Sequence, residues 1–306
     1  AAVLAGAVSP DGRTVLTGTY DGSAWLWDAT TGRRLAGPFR HADPVYAVAF
    51  RPDGKAFATG SGHSVERDGQ MVGTGEARVW DVASGEVIQS APRHAREVLA
   101  VAFTPDGRTL VTASKDRTAR FWDAATGAAV GRVIRHDGWV NALALSADGR
   151  AVLTGSDDRT ARLWSIPDGA PLTTPLRHTR PVKAVGIGAD GRLLLTTSED
   201  GTAQLWEAGR GQAAGEPLRA AAPIQAAALS PTGRVLVTGD RAGEVRLWRV
   251  PAPLGGDVER VRLWVETASG TELDATGALR PLEMGAMGER RRRLAELGGA
   301  PTGVEE

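Results

Sequence analysis

Four histidines, His41, His94, His136 and His178, follow one another at intervals of 53, 42 and 42 residues. Imidazole is a common metal ligand and a common general base near neutral pH, so a series of this kind first raises zinc binding or acid–base chemistry. The stretch "LTGSDDRTARLW" (153–164) adds two carboxylates, Asp157 and Asp158, beside an arginine and a tryptophan. Alone, it would suit an acidic catalytic turn, a metal loop or an ordinary hairpin. Cysteine is absent, which excludes thiolate metal sites and thiol nucleophiles. Recurrence argues against chemistry for most of these groups. Asp158 has counterparts at Asp116 and Asp200, and one active site copied along a chain makes no sense as catalysis. The expected role is structural: a carboxylate accepting an imidazole N–H inside a packed unit. The histidines then fall in separate units, and neither a metal nor a cofactor is expected. The pair Asp157 and Glu199 remains as a candidate acid and base.

The elements that position these residues repeat. Related stretches occur at 16–28, 111–123, 195–207 and 237–249, and once more at 58–81 with an insertion. Their tryptophans, Trp27, Trp80, Trp122, Trp164, Trp206 and Trp248, are spaced by 53, 42, 42, 42 and 42 residues. Each unit reads as a strand ("VNALALS"), a turn ("ADGR"), a second strand ("AVLTGS"), a turn ("DDRT"), a third strand ("ARLWS") and a weaker fourth strand. Gly12, Gly54, Gly107, Gly149, Gly191 and Gly233 close the first turn. Four short strands per unit, repeated with no helical period, predict an all-β propeller. The first strand carries small residues at alternate positions in every unit (Ala5 and Ala7, Ala47 and Ala49, Ala100 and Ala102, Ala142 and Ala144, Ala184 and Gly186, Ala226 and Ala228), as expected where blades converge on an axis.

With these motifs in hand, residues 1–250 resemble the WD-repeat (WD40) β-propeller family, through the Arg-His pair, the Pro-Asp-Gly turn, the turn Asp and the terminal Trp-Asp. The resemblance implies buried hydrogen-bonded sets of His, Ser or Thr, Asp and Trp. One set is His94, Thr112, Asp116 and Trp122. The next is His136, Thr154, Asp158 and Trp164, and the third is His178, Thr196, Asp200 and Trp206. The second unit keeps His41, Thr59 and Trp80 but has Thr74 where the Asp is expected. In the sixth unit Ala220 and Ala242 replace both His and Asp, leaving Thr238 and Trp248. Units one, two and six are therefore expected to be less rigid than units three to five. Six blades are visible. A seven-bladed ring lacking one N-terminal blade is the first expectation for closure, and a closed six-bladed ring the second.

Binding residues are expected among the variable side chains that the scaffold presents on one rim. Before the turn Asp these are Tyr20, Lys115, Asp157, Glu199 and Arg241. From the start of the first strand come Tyr46, Glu97, Trp139, Asn141, Lys183 and Gln225. Trp139 stands out, because Ala2, Pro44, Glu97, Pro181 and Pro223 occupy its slot elsewhere. Aromatic and charged residues converging at one mouth fit a protein or peptide partner. The insertion at 62–73 sits between second and third strands, with a turn at Gly69, and is expected to protrude there as a hairpin.

Residues 251–306 break the pattern as a C-terminal extension. A helix is expected from Asp257 to Gly270 with Val258, Val261, Trp264 and Val265 on one face, a strand being the alternative because Val261, Leu263 and Val265 also alternate; then a hairpin in "TELDATGALRPL" and a helix in "GERRRRLAELGG". The four arginines read as a solvated helix face. This ending resembles that of large bacterial, planctomycete-type WD-repeat proteins, many of which carry an upstream serine/threonine kinase domain; no kinase motif occurs here. Acidic and basic residues balance at 36 each, which argues against a nucleic-acid binder. No apolar run is long enough to span a bilayer, and a cytoplasmic location is expected, although the sequence begins without Met. The function expected is a non-catalytic interaction scaffold, the docking or sensory part of a signalling protein. The alternative is a propeller enzyme, quinoprotein-like or glycosidase-like.

Overall fold

Short β-branched and apolar runs separated by Asp-Gly turns leave the chain little choice but antiparallel sheets. The computed structural model describes residues 1–67, 70–230, 235–250, 263, 266–267, 269, 271–273, 279–281 and 284–297. It is a six-bladed β-propeller followed by a short mixed segment. Blade 1 holds β1 (Val3–Val8), β2 (Thr14–Thr19), β3 (Ser23–Asp28) and β4 (Arg34–Arg40). Blade 2 holds β5 (Val45–Phe50), β6 (Ala56–Arg67), β7 (Gln70–Asp81) and β8 (Val87–His94). Blade 3 holds β9 (Val98–Phe103), β10 (Thr109–Ser114), β11 (Thr118–Asp123) and β12 (Ala129–Arg135). Blade 4 holds β13 (Val140–Leu145), β14 (Ala151–Ser156), β15 (Thr160–Ser165) and the short β16 (Leu176–Arg177). Blade 5 holds β17 (Val182–Ile187), β18 (Leu193–Ser198) and β19 (Thr202–Glu207), with its outer edge split into β20 (Gln212–Ala213) and β21 (Leu218–Arg219). Blade 6 shows β22 (Ile224–Leu229), β23 (Val235–Asp240) and β24 (Val245–Arg249) among the described residues.

Neighbouring strands within each blade are antiparallel, and the first turn closes on Gly12, Gly54, Gly107, Gly149 and Gly191 with φ between 68° and 73°; Gly233 lies outside the described residues. The innermost strands pack in succession, β1 on β5, β5 on β9, β9 on β13, β13 on β17 and β17 on β22. The core lies between blades. Leu16, Ala24, Leu26 and Phe39 of blade 1 meet Phe57 and Trp80 of blade 2, and Ala47, Ala58 and Val79 of blade 2 meet Val98, Val101 and Phe103 of blade 3. Each such fully buried aliphatic or aromatic side chain contributes roughly 1.5–3 kcal/mol, so the interfaces hold the blades together.

Strict alternation would place Val45 on the same face as Ala47. Instead, every innermost strand shifts register after its first residue: Val3/Ala5, Val45/Ala47, Val98/Ala100, Val140/Ala142, Val182/Ala184 and Ile224/Ala226. In blades 2–5 the bulge turns the leading Val and the Val or Leu three residues on toward the preceding blade, while the small residues face the following one. Thus Val45 and Val48 press on Gly18, and Val98 and Val101 press on Gly60.

The chain divides into two compact units, Ala1–Trp248 and Arg249–Glu306. In the second, Thr271–Leu273 pairs with Leu279–Pro281 as β25 and β26, and Met284–Glu296 forms helix α1. Arg291, Arg292 and Arg293 are exposed on α1, while Leu294 is buried. Leu263, Glu266, Thr267 and Ser269 are helical, and the Thr267 hydroxyl donates to the Leu263 carbonyl at 2.8 Å. Asp257, Val258, Val261, Trp264, Val265 and Gly270, on which the expected helix rests, lie outside the described residues. No helix among the described residues is long and apolar enough to cross a membrane.

Candidate functional site

The turn between second and third strands and the loop leading into the first strand meet on one rim. Backbone bonds join them blade by blade: Tyr20 N–H to Ala2 C=O, Lys115 to Glu97, Asp157 to Trp139, Glu199 to Pro181 and Arg241 to Pro223, at 2.9–3.0 Å. Beneath this rim the structure brings together the polar sets. In blade 3, Trp122 Nε1 donates to Thr112 Oγ1 (2.8 Å), Thr112 Oγ1 lies 2.7 Å from His94 Nε2, and His94 Nδ1 lies 2.8 Å from Asp116 Oδ2. In blade 4, Trp164 Nε1 donates to Thr154 Oγ1, Thr154 Oγ1 meets His136 Nε2, and His136 Nδ1 meets Asp158 Oδ2, each at 2.8 Å. In blade 5, Trp206 Nε1 donates to Thr196 Oγ1 (2.7 Å), Thr196 Oγ1 lies 2.6 Å from His178 Nε2, and His178 Nδ1 lies 3.2 Å from Asp200 Oδ2.

The threonines at the centre of these sets are sealed. Thr112, Thr154 and Thr196 are each 0% exposed, so no ligand or partner reaches them. Of the residues singled out in the sequence, Thr154 and Thr196 thus belong to the inside of a blade and not to a binding surface. Their hydroxyls join an indole to an imidazole and do nothing outside the blade.

Direction follows from donor arithmetic. Indole N–H only donates, so the threonine oxygen accepts from it; a carboxylate only accepts, so the ring proton facing it sits on Nδ1, which leaves Nε2 of a neutral ring to accept the threonine proton. The imidazole then carries its proton on Nδ1 and donates to the carboxylate. A neutral histidine fills every role. Burial pushes the Asp158 carboxyl up, but bonds from His136 and Thr160 outweigh it and hold the group well below the usual carboxylate range. Asp116 is depressed in the same way by His94 and Thr118. Asp200 is pulled to about 2 by Thr202 and His178 against the same burial. Burial lowers His178, with Asp200 opposing.

The second blade corrects the assignment of Thr74. That residue pairs with His63 in the inserted hairpin, and the carboxylate opposite His41 is Glu76 Oε1, 3.1 Å from Nδ1. Glu76 stands two residues later, and its extra methylene and its ion pair with Arg78 (2.6 Å) let it reach back to the imidazole. Ser61 Oγ supports the same nitrogen at 2.8 Å. A carboxylate just before "ARVW" was the available signal, hidden by the insertion that broke the spacing. Blade 2 is therefore as fully bonded as blades 3–5. Blade 1 retains Trp27 on Thr17 (2.8 Å) and blade 6 Trp248 on Thr238 (2.9 Å).

Above these sets, the residue expelled at each bulge is Leu4, Tyr46, Leu99, Asn141, Lys183 or Gln225, so one backbone irregularity presents much of the variable rim. Lys115 Nζ binds Glu97 Oε1 at 3.0 Å and lies 4.8 Å from the Trp139 ring and 5.7 Å from the Tyr46 ring, a geometry for cation–π attraction. Burial pushes the Glu97 carboxyl up, but its own backbone N–H, Lys115 and Ser64 hold it below its ordinary value. Burial and the Glu97 charge raise the Tyr46 phenol. Further round, Asn141 Nδ2 donates to Asp157 Oδ1 (2.7 Å) and to the Val182 carbonyl (2.9 Å). Lys183 Nζ lies 2.8 Å from Asp157 and 3.6 Å from Glu199, and Arg241 holds Glu199 at 3.2 Å. The candidate acid–base pair Asp157 and Glu199 is thus bridged by a lysine and engaged in a ladder of opposite charges. Tyr20 is exposed, and Trp139 is 38% exposed.

The insertion stands on this rim. β6 and β7 pair out to Arg67↔Gln70. Ser64 Oγ donates to Glu97 (2.9 Å), His63 pairs with Asp43 (2.8 Å), and Arg96 Nη2 donates to the Met71 carbonyl (3.1 Å). Val65, Met71 and Val72 are exposed toward its tip. Gly69, expected in the turn, lies outside the described residues.

A radial array of four-stranded antiparallel blades, stapled by His–Asp and Trp–Thr pairs, defines a repeat propeller. The chain belongs to the WD40 family (WD domain, G-beta repeat), which matches residues 1–28, 34–81, 85–123, 128–165, 169–207 and 217–249. Among curated relatives, it is 31% identical over 111 residues to the Periodic tryptophan protein 2 homolog of Schizosaccharomyces pombe, covering 36% of this chain and 12% of that protein. It is 30% identical over 118 residues to the Pre-mRNA-processing factor 19 homolog 2 of Arabidopsis thaliana, covering 38% and 20%. An uncharacterized WD repeat-containing protein of Synechocystis sp. is 31% identical over 108 residues, covering 35% and 28%. The matched region is less than a third of each of these relatives.

Proposed function

We propose that the chain is a non-catalytic interaction scaffold that binds a protein or peptide on the rim bearing Tyr20, Tyr46, Glu97, Lys115, Trp139, Asn141, Asp157, Lys183 and Glu199. The observation that carries this reading is the exposed Trp139 beside Lys115, Glu97 and Tyr46, all held by bonded turns. An aromatic anchor on a fixed backbone loses little entropy on binding, and charges already paired need little reorganisation. The ladder Asp157–Lys183–Glu199–Arg241 supplies alternating donors and acceptors for a polar border around that anchor. The resemblance of the C-terminal segment supports placing the scaffold in a bacterial signalling protein, as its docking or sensory part, in the cytoplasm. The balanced charge disfavours nucleic acid as the partner.

The test is affinity capture from source lysate with the wild-type chain and a Trp139→Ala/Tyr46→Ala/Lys183→Ala variant of matched thermal stability. A protein retained by the first and lost by the second is the expected result. Equal retention by a folded variant would remove the rim from the binding surface.

A further inference from the structure

The outer strand of blade 3 leaves its ladder for a short stretch. Between Ala119↔Ile134 and Phe121↔Val130, β12 places Gly131, Arg132 and Val133 opposite Arg120 alone. This bulge is tied to blade 4. The Arg132 N–H donates to the Pro167 carbonyl (3.2 Å), and Gly131, at φ 68°, stands so close to that carbonyl that a Cβ would collide with it. With the bulge held on that side, a groove of about 260 Å³ opens on the other. Trp122, Ala129, Val130 and Val133 line it, and Arg93 of β8 reaches it from blade 2.

Blades 1 and 2 cover the matching place with their own side chains. In blade 1, Trp25 stands in the position of Arg120, and Arg34 lies 4.5 Å over its ring. In blade 2, Arg78 lies 6.0 Å over the ring of Trp80. In blade 3, Arg120 is drawn toward the rim instead. Its Nε donates to the Thr118 hydroxyl (3.1 Å), Nη1 to the Arg93 carbonyl (3.4 Å) and Nη2 to Asp116 (3.4 Å). The groove stays open as a result.

Its charge is one-sided. Arg93, Arg120 and Arg132 border the apolar surface, and among the described residues no acidic side chain lines it. Asp116 offsets Arg120 alone. Arg93 and Arg132 are exposed, and neither pairs with a carboxylate among the described residues. Volume narrows the ligand further. The space is smaller than the roughly 300–1,000 Å³ of a small-molecule site and suits one or two side chains. A phosphate surface would meet the arginines and leave the apolar lining unused, whereas an acidic peptide with an apolar residue uses both.

We propose that this groove, on the flank between blades 2 and 3, docks a linear segment of a partner protein in which one Leu- or Phe-sized side chain lies between Asp or Glu residues. The apolar side chain packs against Trp122 and Val130, and its acidic neighbours pair with Arg93 and Arg132. The groove shares no residue with the rim cluster, and the proposal does not depend on the rim being a binding site.

The test selects short random peptides, displayed on phage, on the full wild-type chain, and then measures the selected sequences as labelled peptides by fluorescence anisotropy. Three variants with wild-type thermal stability are compared. Arg93→Glu/Arg132→Glu reverses two exposed charges, and Ala129→Phe fills the groove from an exposed position. Trp139→Ala/Tyr46→Ala/Lys183→Ala removes the rim cluster. The expected peptides carry an apolar residue flanked by Asp or Glu. Their Kd should rise about tenfold or more in each of the first two variants and stay within about twofold in the third. Peptides without acidic residues, or acidic peptides whose affinity survives either groove variant, would overturn the proposal. Affinity lost only in the third variant would overturn it too and assign capture to the rim. A selection that enriches nothing would remove a peptide from the groove, and a loss of binding to phosphatidylserine vesicles in the arginine variant would then assign the charge to a lipid surface.

Discussion

Asp158 offers a sharp test of the polar sets. Its side chain is 7% exposed and takes His136 Nδ1 (2.8 Å) and the Asp137 N–H (3.2 Å) on one oxygen, and the Thr160 hydroxyl (2.6 Å) and N–H (2.9 Å) on the other. Asp158→Ala leaves the His136 N–H without an acceptor at a side chain 0% exposed. An orphaned buried donor costs about 1–3 kcal/mol, and the lost bonds to a charged acceptor raise the total to about 3 kcal/mol. His136→Ala costs a similar amount through the cavity it opens. The double variant removes donor and acceptor together, as Ala220 and Ala242 do in blade 6. It should therefore cost about 1–2 kcal/mol less than the sum of the two singles. A repeat protein need not unfold as one unit, so the readout is native-state hydrogen exchange at β14. A loss of about 3 kcal/mol there accelerates exchange through the opened state roughly a hundredfold. Single-variant effects that add to within about 0.5 kcal/mol would refute the coupled set.

Other outcomes follow from the same geometry. Acid should destabilise blade 5 in two stages. His178 has its folded pKa lowered below 6.5, so its contribution is present above that value and fades as pH falls through the folded one; Asp200, depressed from 3.8 to about 2, loses its contribution below about pH 4. Hydrogen exchange at β18 measured against pH should show the second stage in the wild type and lose it in Asp200→Asn, while β10 and β14, held by Asp116 and Asp158, keep theirs. Gly155→Ala forces a Cβ to 2.8 Å from both Val182 and Val185, and should cost about 1–3 kcal/mol. Gly239→Ala meets nothing within 4 Å and should be neutral or stabilise by up to about 1 kcal/mol, which thermal melts would distinguish. Hydrogen exchange should rank blade 2 with blades 3–5, since Glu76 completes its set, and place blades 1 and 6 below them; slow exchange in blade 6 would count against the polar sets as the source of rigidity.

The number of blades, their strand order and the residues meeting beneath the rim were legible because each rests on local, repeated chemistry. A turn needing positive φ selects Gly12 or Gly107 wherever it recurs, and a set that must bond internally keeps His94, Thr112, Asp116 and Trp122 at constant spacing. Thr154 and Thr196 keep the same offsets from His136 and His178, and their complete burial makes them scaffold. The insertion broke that spacing, so Glu76 was hidden and Thr74 stood in its place. Only tertiary structure revealed it, because a longer side chain reaching back two positions leaves no periodic trace. The bulges were likewise invisible: alternation places Val45 and Ala47 on one face, and the register slip that separates them follows from packing Val45 onto Gly18 of another blade. The rim residues were named from variation alone, but their partners, Lys115 between two rings and Lys183 between two carboxylates, depend on which blades stand side by side. Sequence by itself determined the repeat and its internal bonds, which are local and recurring. What one blade does to its neighbour was decided by the assembled blades, since those contacts join residues that no local pattern connects.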